Sequence, residues 1–397
     1  MYYLDLKYPV MNLKRQVPFF ILIFLFFSTS AFSQSVIVTE MASLAKDTSV
    51  RNQLISSLNG FLKEKDGPNK NNTYVLAGTL PETSALLDEL KHIGQSNRFG
   101  DQNFYKCHLT NFVKLEANKY LIQLAFIGVD SNRTPVFRAA FRFMAELNDG
   151  KFYFCSPLKQ NTLSWKSKRL GNIDFHFKDT LVKRDAEAFL KSVSFYDKKL
   201  GIASSPIEYY YCDNFPEAQQ LLGLDYKSDY NGVKSDILTG RENNTSVILS
   251  GYNYYNQRFD PHDLWHDRLR IVLNSDTINR PVDEGCAYLY GGSWGIPWKE
   301  VLAKFKAYAA ANPNADWMNL YIQSKNYEDG DKPLKIAYAL NALIAQKIEK
   351  EKGFAAVLTL LSCGKRQAGD ENYFMVLEKV SGISKADFNK EMWKLIK

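Results

Sequence analysis

Two histidines stand four residues apart in the run Asp260-Pro261-His262-Asp263-Leu264-Trp265-His266. Aspartate followed by proline marks a helix start, with Asp260 as the N-cap and Pro261 at the first helical position. On such a helix His262 and His266 project from the same face. Two imidazoles on one turn can bind a single tetrahedral zinc ion, provided a third ligand arrives from elsewhere. Without that third ligand the pair reads equally well as surface or core histidines.

Eighteen residues after His266 stands Glu284, in Val282-Asp283-Glu284-Gly285-Cys286-Ala287-Tyr288-Leu289-Tyr290. The two segments together resemble the gluzincin metallopeptidases, whose pattern is His-Glu-x-x-His followed some twenty residues later by Glu-Gly-x-Ala. The resemblance is to the peptidase-MA-like group and spans roughly residues 170–397. It takes in the later segments Lys352-Gly353-Phe354, Val380-Ser381-Gly382-Ile383 and Phe388 to Trp393. It implies that His262, His266 and Glu284 ligate Zn2+, which would polarise a scissile carbonyl and acidify a bound water. It also implies that Gly285 and Ala287 permit close helix packing and that a tyrosine stabilises the oxyanion. Tyr338 is the preferred candidate for that tyrosine, with Tyr288 and Tyr290 as rivals.

The chain departs from the family pattern at the general base, where Asp263 replaces glutamate. Aspartate keeps the carboxylate but is one methylene shorter, which moves its oxygens by about 1 Å and can cost about 100-fold in rate. Where some gluzincins place a carboxylate four residues after the ligand glutamate, this chain has Tyr288, leaving Asp283 or Asp267 to orient a ligand histidine. The expected activity is zinc-dependent hydrolysis of a peptide or protein substrate. The alternative is a catalytically weakened or silent metal-binding relative that acts as an interaction or cell-envelope module. A reading from another class is a surface glycan binder that uses its aromatics, 26 Phe and 23 Tyr, and not its histidines. Trp294 stands as a cleft or core residue. Trp265, Trp298 and Cys286 read as packing residues, and His92, His108 and His176 as isolated histidines without a metal role.

The elements that must position these residues are partly visible. Apolar residues at Val50, Leu54, Leu58, Phe61 and Leu62 predict a helix over Thr48 to Leu62, followed by a loop over Lys63 to Asn72. From Phe104 to Ser156 the pattern becomes strand-like. It is broken at Glu116-Ala117-Asn118, Asp130-Ser131-Asn132 and Asn148-Asp149-Gly150, the last a hairpin signal. A helix and an antiparallel meander in that order resemble NTF2-like or cystatin-like folds. The polar, basic stretch 157–170 is the expected boundary. Strands follow at Ile173 to Phe177, Ile207 to Tyr211 and Ser246 to Leu249, with helices at Arg184 to Leu200 and from Phe215. Beyond Asp260 almost every segment has helical periodicity, and the last helix is expected to start at Ser384. The fold class is therefore α+β. An N-terminal α+β domain occupies 34–165, and a mainly helical gluzincin-like (thermolysin-like) domain occupies 166–397.

The chain has 397 residues, 45% hydrophobic and 23% charged, a globular balance with room for two domains. Its formal charge of +7 is scattered, with no run of five basic residues, and gives no nucleic-acid footprint. Residues 1–33 read as a signal peptide. They comprise a basic Asn12-Leu13-Lys14-Arg15, an apolar run of 11 residues from Val17 to Phe27, and a small-residue site at Ala31 and Ser33, with Met11 as a natural start. Export to the periplasm or the extracellular space follows, and the mature chain has no transmembrane segment. Five cysteines leave at least one unpaired, and Cys107 with Cys155 is the one plausible bridge.

Overall fold

The computed structural model describes residues 35–39, 47–233, 236–252 and 259–397 of an α+β protein. The expected signal peptide lies outside the described residues. No helix among the described residues is long and apolar enough to cross a membrane.

The first half is a meander backed by helices. Strand β1 (Ile37–Val38) precedes helices α1 (Thr48–Glu64) and α2 (Leu80–Leu90). Then come β2 (Lys106–Lys114), β3 (Lys119–Val129), β4 (Pro135–Asn148) and β5 (Lys151–Cys155), in the spatial order β1-β2-β3-β4-β5. Asp47 caps α1 by accepting from the Ser49 and Val50 amides, and Leu54, Leu58 and Phe61 are buried on its inner face. Alternation decides the facing side of the sheet. Ile122, Leu124 and Phe126 on β3, and Ala139, Phe141 and Phe143 on β4, are all buried. The Phe61 ring sits 5.2 Å from Phe143 and 4.9 Å from Phe154, pinning α1 to the sheet. At the β4–β5 turn Asp149 and Gly150 both have positive φ, +50° and +76°, as a two-residue hairpin of this handedness requires.

Cys107 and Cys155 are both buried and free, which corrects the expected bridge. Cys107 pairs with Phe126 on β3 and Cys155 with Met144 on β4. Two strands therefore separate them, at about 4.8 Å per strand spacing, beyond the reach of a disulfide.

The stretch 157–170 holds structure of its own. Helix α3 (Leu158–Asn161) leads to β6 (Lys166–Leu170), which pairs antiparallel with β7 (Ile173–Phe177). The chain continues through α4 (Lys183–Leu200), β8 (Ile207–Asn214), α5 (Phe215–Leu222), β9 (Leu224–Lys227), β10 (Ile237–Glu242) and β11 (Thr245–Tyr252). The second sheet runs β10-β11-β8-β7-β6, with β7, β8 and β11 parallel. It is covered on both faces, as parallel sheets are. Tyr209, Tyr211 and Ile248 join the helical core on one side. Tyr210, Cys212, Val247 and Leu249 join the core of the first half on the other. Strand β9 belongs to the first sheet instead and pairs with β4 through Ala139, Ala140 and Phe141. Gly240 on β10 approaches α2 so closely that a Cβ would lie 2.4 Å from the Ala85 nitrogen. The two halves are thereby interleaved.

The remainder is helical: α6 (Pro261–Val272), α7 (Arg280–Gly291), α8 (Trp298–Ala311) and α9 (Trp317–Ile322). A small ribbon of β12 (Asn326–Glu328) and β13 (Leu334–Lys335) leads into α10 (Ile336–Lys352), α11 (Phe354–Leu361), α12 (Glu371–Ser381) and α13 (Phe388–Ile396). The last helix begins four residues later than Ser384. The Ser384 hydroxyl and the Asp387 carboxylate bond to each other in the turn before it. Helix α10 is the hub, and Ile336, Ala339, Leu340, Leu343 and Ile344 are buried along it.

Candidate metal centre

Helices α6 and α7 carry the site, and each is held by specific contacts. The Asp260 carboxylate accepts from the His262 amide at 2.9 Å, closing the N-terminus of α6, and Pro261 needs no partner there. The Tyr196 hydroxyl on α4 donates to the Pro261 carbonyl at 2.9 Å. Two residues beyond His266, fully buried Arg268 donates from Nε to Asp197 of α4 at 2.7 Å, fixing the rotation of α6 about its axis. Helix α7 lies against α10 through Gly285, where a Cβ would stand 2.6 Å from the Asn341 Cβ and 2.8 Å from the Ala342 nitrogen. At its far end, Gly291 has no room for a Cβ beside the His262 nitrogen, 2.6 Å away. Glycine at these two positions lets α7 approach both neighbours.

His262, His266 and Glu284 converge, and one donor atom from each lies within 4.8 Å of the others. His262 Nε2 is 3.5 Å from Glu284 Oε2. The rings are oriented from behind. His262 Nδ1 donates to the Gly292 carbonyl at 2.8 Å, and His266 Nδ1 donates to Asp283 Oδ1 at 2.9 Å. A carbonyl and a carboxylate can only accept, so each Nδ1 carries its proton and Nε2 is the nitrogen left for a metal ion, that of His262 facing Glu284. Asp283 Oδ1 also accepts from the buried Trp265 indole at 3.0 Å, so a single carboxylate oxygen holds both side chains. Of the two carboxylates expected to orient a histidine, Asp283 does so. Asp267 is half-buried and bonded to Thr239 on β10.

Neighbouring donors around a tetrahedral ion with bonds of about 2.0–2.1 Å stand about 3.4 Å apart. The 3.5 Å separation of His262 and Glu284 matches that edge. Two imidazoles and a carboxylate, with a backbone carbonyl and a second carboxylate behind the rings, would suit a borderline divalent cation such as zinc once His262 gives up its proton. The donor set therefore fits a metal ion.

Charges reinforce one another here. Burial works against the His262 imidazolium. The hydrogen bond and charge of Glu284, the Gly292 carbonyl and the charge of Asp263 outweigh it and lift the group to about 9. Burial pushes up the Glu284 carboxyl, but His262, His266 and Arg280 overcome this and hold it below its usual range. Asp263 is raised to about 6, by burial first and then by the neighbouring Asp260 charge, against the pull of His262.

The site opens into a cleft of about 620 Å³ lined by His262, Asp263, His266, Asp283 and Glu284, with Arg270, Arg280, Lys365 and Arg366 also on its walls. Asp263 thus faces the same space as the three candidate ligands. Tyr338 is half-buried on α10 and is not among the residues that line the cleft; it hydrogen-bonds Arg280, a cleft residue that in turn reaches Glu284 at 3.5 Å. Its hydroxyl is raised by burial and by the Glu284 charge. The rivals are committed elsewhere: Tyr288 is buried against the Lys335 amide, and Tyr290 donates to Glu349 at 2.6 Å beneath Phe354. Trp294 donates its indole proton to the Pro333 carbonyl and does not line the cleft. Cys286 is buried on the opposite side of α7 from solvent, with its thiol pushed well up by burial. His176 bonds Glu208 at 2.6 Å on β8, while His92 and His108 lie in the first half, so none of the three joins the site. Sequence reasoning missed Arg280 as a neighbour of Glu284, although its spacing of four residues on one helix was the available signal. It had no signal for Arg270, Lys365 and Arg366.

No protein-family model matches this chain, and no curated protein matches it.

Proposed function

We propose that this protein is an exported, gluzincin-like zinc metallopeptidase with His262, His266 and Glu284 as ligands. The observation that carries the reading is the paired support of the two imidazoles. Each Nδ1 is bound to an acceptor-only group, His262 Nε2 faces Glu284, and a donor atom of His266 lies within 4.8 Å of both beside an open cleft. Side chains arranged only for stability have no need to bring two imidazoles, each oriented from behind, to one carboxylate. The order of sheet and helices also supports a thermolysin-like arrangement, with an NTF2-like or cystatin-like unit before it. The basic, apolar and small-residue sequence of 12–33 supports export.

A bound divalent ion would supply polarisation of the scissile carbonyl and acidification of water. Asp263 accepts the proton of the attacking water as the new C–O bond forms. It then delivers that proton to the amine nitrogen as the C–N bond breaks. Tyr338, backed by Arg280, donates a hydrogen bond to the carbonyl oxygen as negative charge gathers there. Asp283 keeps His266 in the tautomer that leaves Nε2 unprotonated.

The test is hydrolysis of an internally quenched peptide library by the zinc-loaded chain. Turnover removed by a chelator, restored by zinc and reduced by about 100-fold or more in Asp263→Ala supports the enzyme. The shorter reach of Asp263 favours a second reading, a metal-binding protein without hydrolysis. Stoichiometric zinc with no turnover on any peptide would select it.

A further inference from the structure

The walls of the cleft differ in charge from its floor. Its three carboxylates are well covered and already engaged: Asp283 with His266 and Trp265, Glu284 with His262 and Arg280, and Asp263 between Asp260 and the histidines. The cations are at the mouth. Arg270 comes from the last turn of α6, Arg280 from the first turn of α7, and Lys365 and Arg366 from the segment after α11. The Arg280 side chain is 80% exposed and that of Lys365 66%, so both charges meet solvent at the entrance. Arg366 is held by three hydrogen bonds to the buried Asp370 and lies over the Tyr321 ring, a rigid cation more than a solvated one. Lys365 has Asp276 for a partner across an exposed surface, an interaction that yields readily. Arg270 is exposed and feels the nearby charges of Asp236 and Asp267. A carboxylate entering the cleft therefore meets cations from three chain segments, while the carboxylates of the floor are already engaged.

We propose that this ring selects peptides carrying a carboxylate close to the bond presented to the metal site. The carboxylate is either an Asp or Glu side chain or the free C-terminus. The proposal rests on the peptidase reading for the identity of its ligand as a peptide, but the cations bind it with or without the metal. Peptides with a basic residue at that position are rejected by the same field.

The test is fluorescence anisotropy with the full chain and four labelled peptides of equal length. One has an Asp/Glu core and one an Ala/Gln core, both amidated; one is the Ala/Gln peptide with a free C-terminus, and one has a Lys core. Each is titrated with zinc and with chelator present. Either carboxylate-bearing peptide should bind about tenfold more tightly than the neutral amide, and the Lys peptide more weakly than both. The amidated and free-acid arms identify which carboxylate is read. In an Arg270→Gln/Lys365→Gln variant the preference should fall to about twofold, with metal content unchanged. Equal binding of all four peptides, a preference that survives the double substitution, or no binding of any peptide overturns the proposal. Preferential binding without hydrolysis rejects the peptidase and keeps the ring. Hydrolysis of neutral and acidic peptides alike rejects the ring and keeps the peptidase.

Discussion

Replacing Asp283 separates metal support from folding, because one oxygen serves two donors. Oδ1 accepts from His266 Nδ1 at 2.9 Å and from Trp265 Nε1 at 3.0 Å, and Trp265 is completely buried. Asp283→Ala leaves two N–H groups without an acceptor. A buried unsatisfied donor costs about 1–3 kcal/mol, so the metal-free protein should lose about 2–4 kcal/mol once the partial exposure of His266 is allowed for. The His266 ring also loses the partner that fixes its tautomer, and such losses reduce metal affinity by about 10–100-fold. Asp283→Asn keeps an amide oxygen that can accept from both donors but removes the charge. It should recover most of the stability while still weakening metal binding by about tenfold. Competition against a chromophoric chelator gives the affinity, and thermal melting of the metal-free forms gives the stability. Zinc affinity within twofold of the native value in both variants, whatever the melting shows, would refute the orienting role of Asp283.

Because His262 is held at about 9 in the metal-free protein, binding a cation must release its proton at neutral pH. Zinc affinity should rise about tenfold per pH unit from 7 toward 9 and then level, and a flat profile by calorimetry would contradict this. The same raised group stabilises the metal-free fold fully below its unfolded value near 6.5 and loses that contribution as pH passes 9. The native chain should therefore lose more stability across that range than His262→Gln in matched urea titrations. Gly285→Val would push α7 off α10, since even a Cβ meets Asn341 at 2.6 Å. A loss of about 1–3 kcal/mol or more is expected, and an unchanged denaturation midpoint would argue against the close approach. Arg268→Ala leaves Asp197 buried without its counter-charge and should cost about 3–5 kcal/mol in chemical denaturation.

The parts of this molecule legible in sequence are those decided locally. Asp260-Pro261 sets the start of α6, and the four-residue spacing then puts both histidines on one face whatever surrounds them. Asn148-Asp149-Gly150 fixes a hairpin because its central residues tolerate positive φ. Strand β6 was hidden because it is an edge strand with four of its five residues exposed, so Lys166 to Arg169 show no apolar alternation. The return of β9 to β4 was hidden for a different reason. Its four residues, Leu224 to Lys227, gain their meaning from a partner more than eighty positions away. The choice between Asp283 and Asp267 as the group behind His266 depended on which helix face each presents. The hydrogen bond of Asp267 to Thr239 on β10 removes it from contention. The basic mouth of the cleft was invisible because its members come from three separate chain segments.

The central claim is that His262, His266 and Glu284 hold one metal ion, and the most direct test is the metal content of the purified chain beside His266→Ala. Element analysis by mass spectrometry after zinc reconstitution and desalting should find about one zinc per native chain and almost none in the variant. Native protein without zinc after reconstitution, or equal zinc in both proteins, would contradict the account.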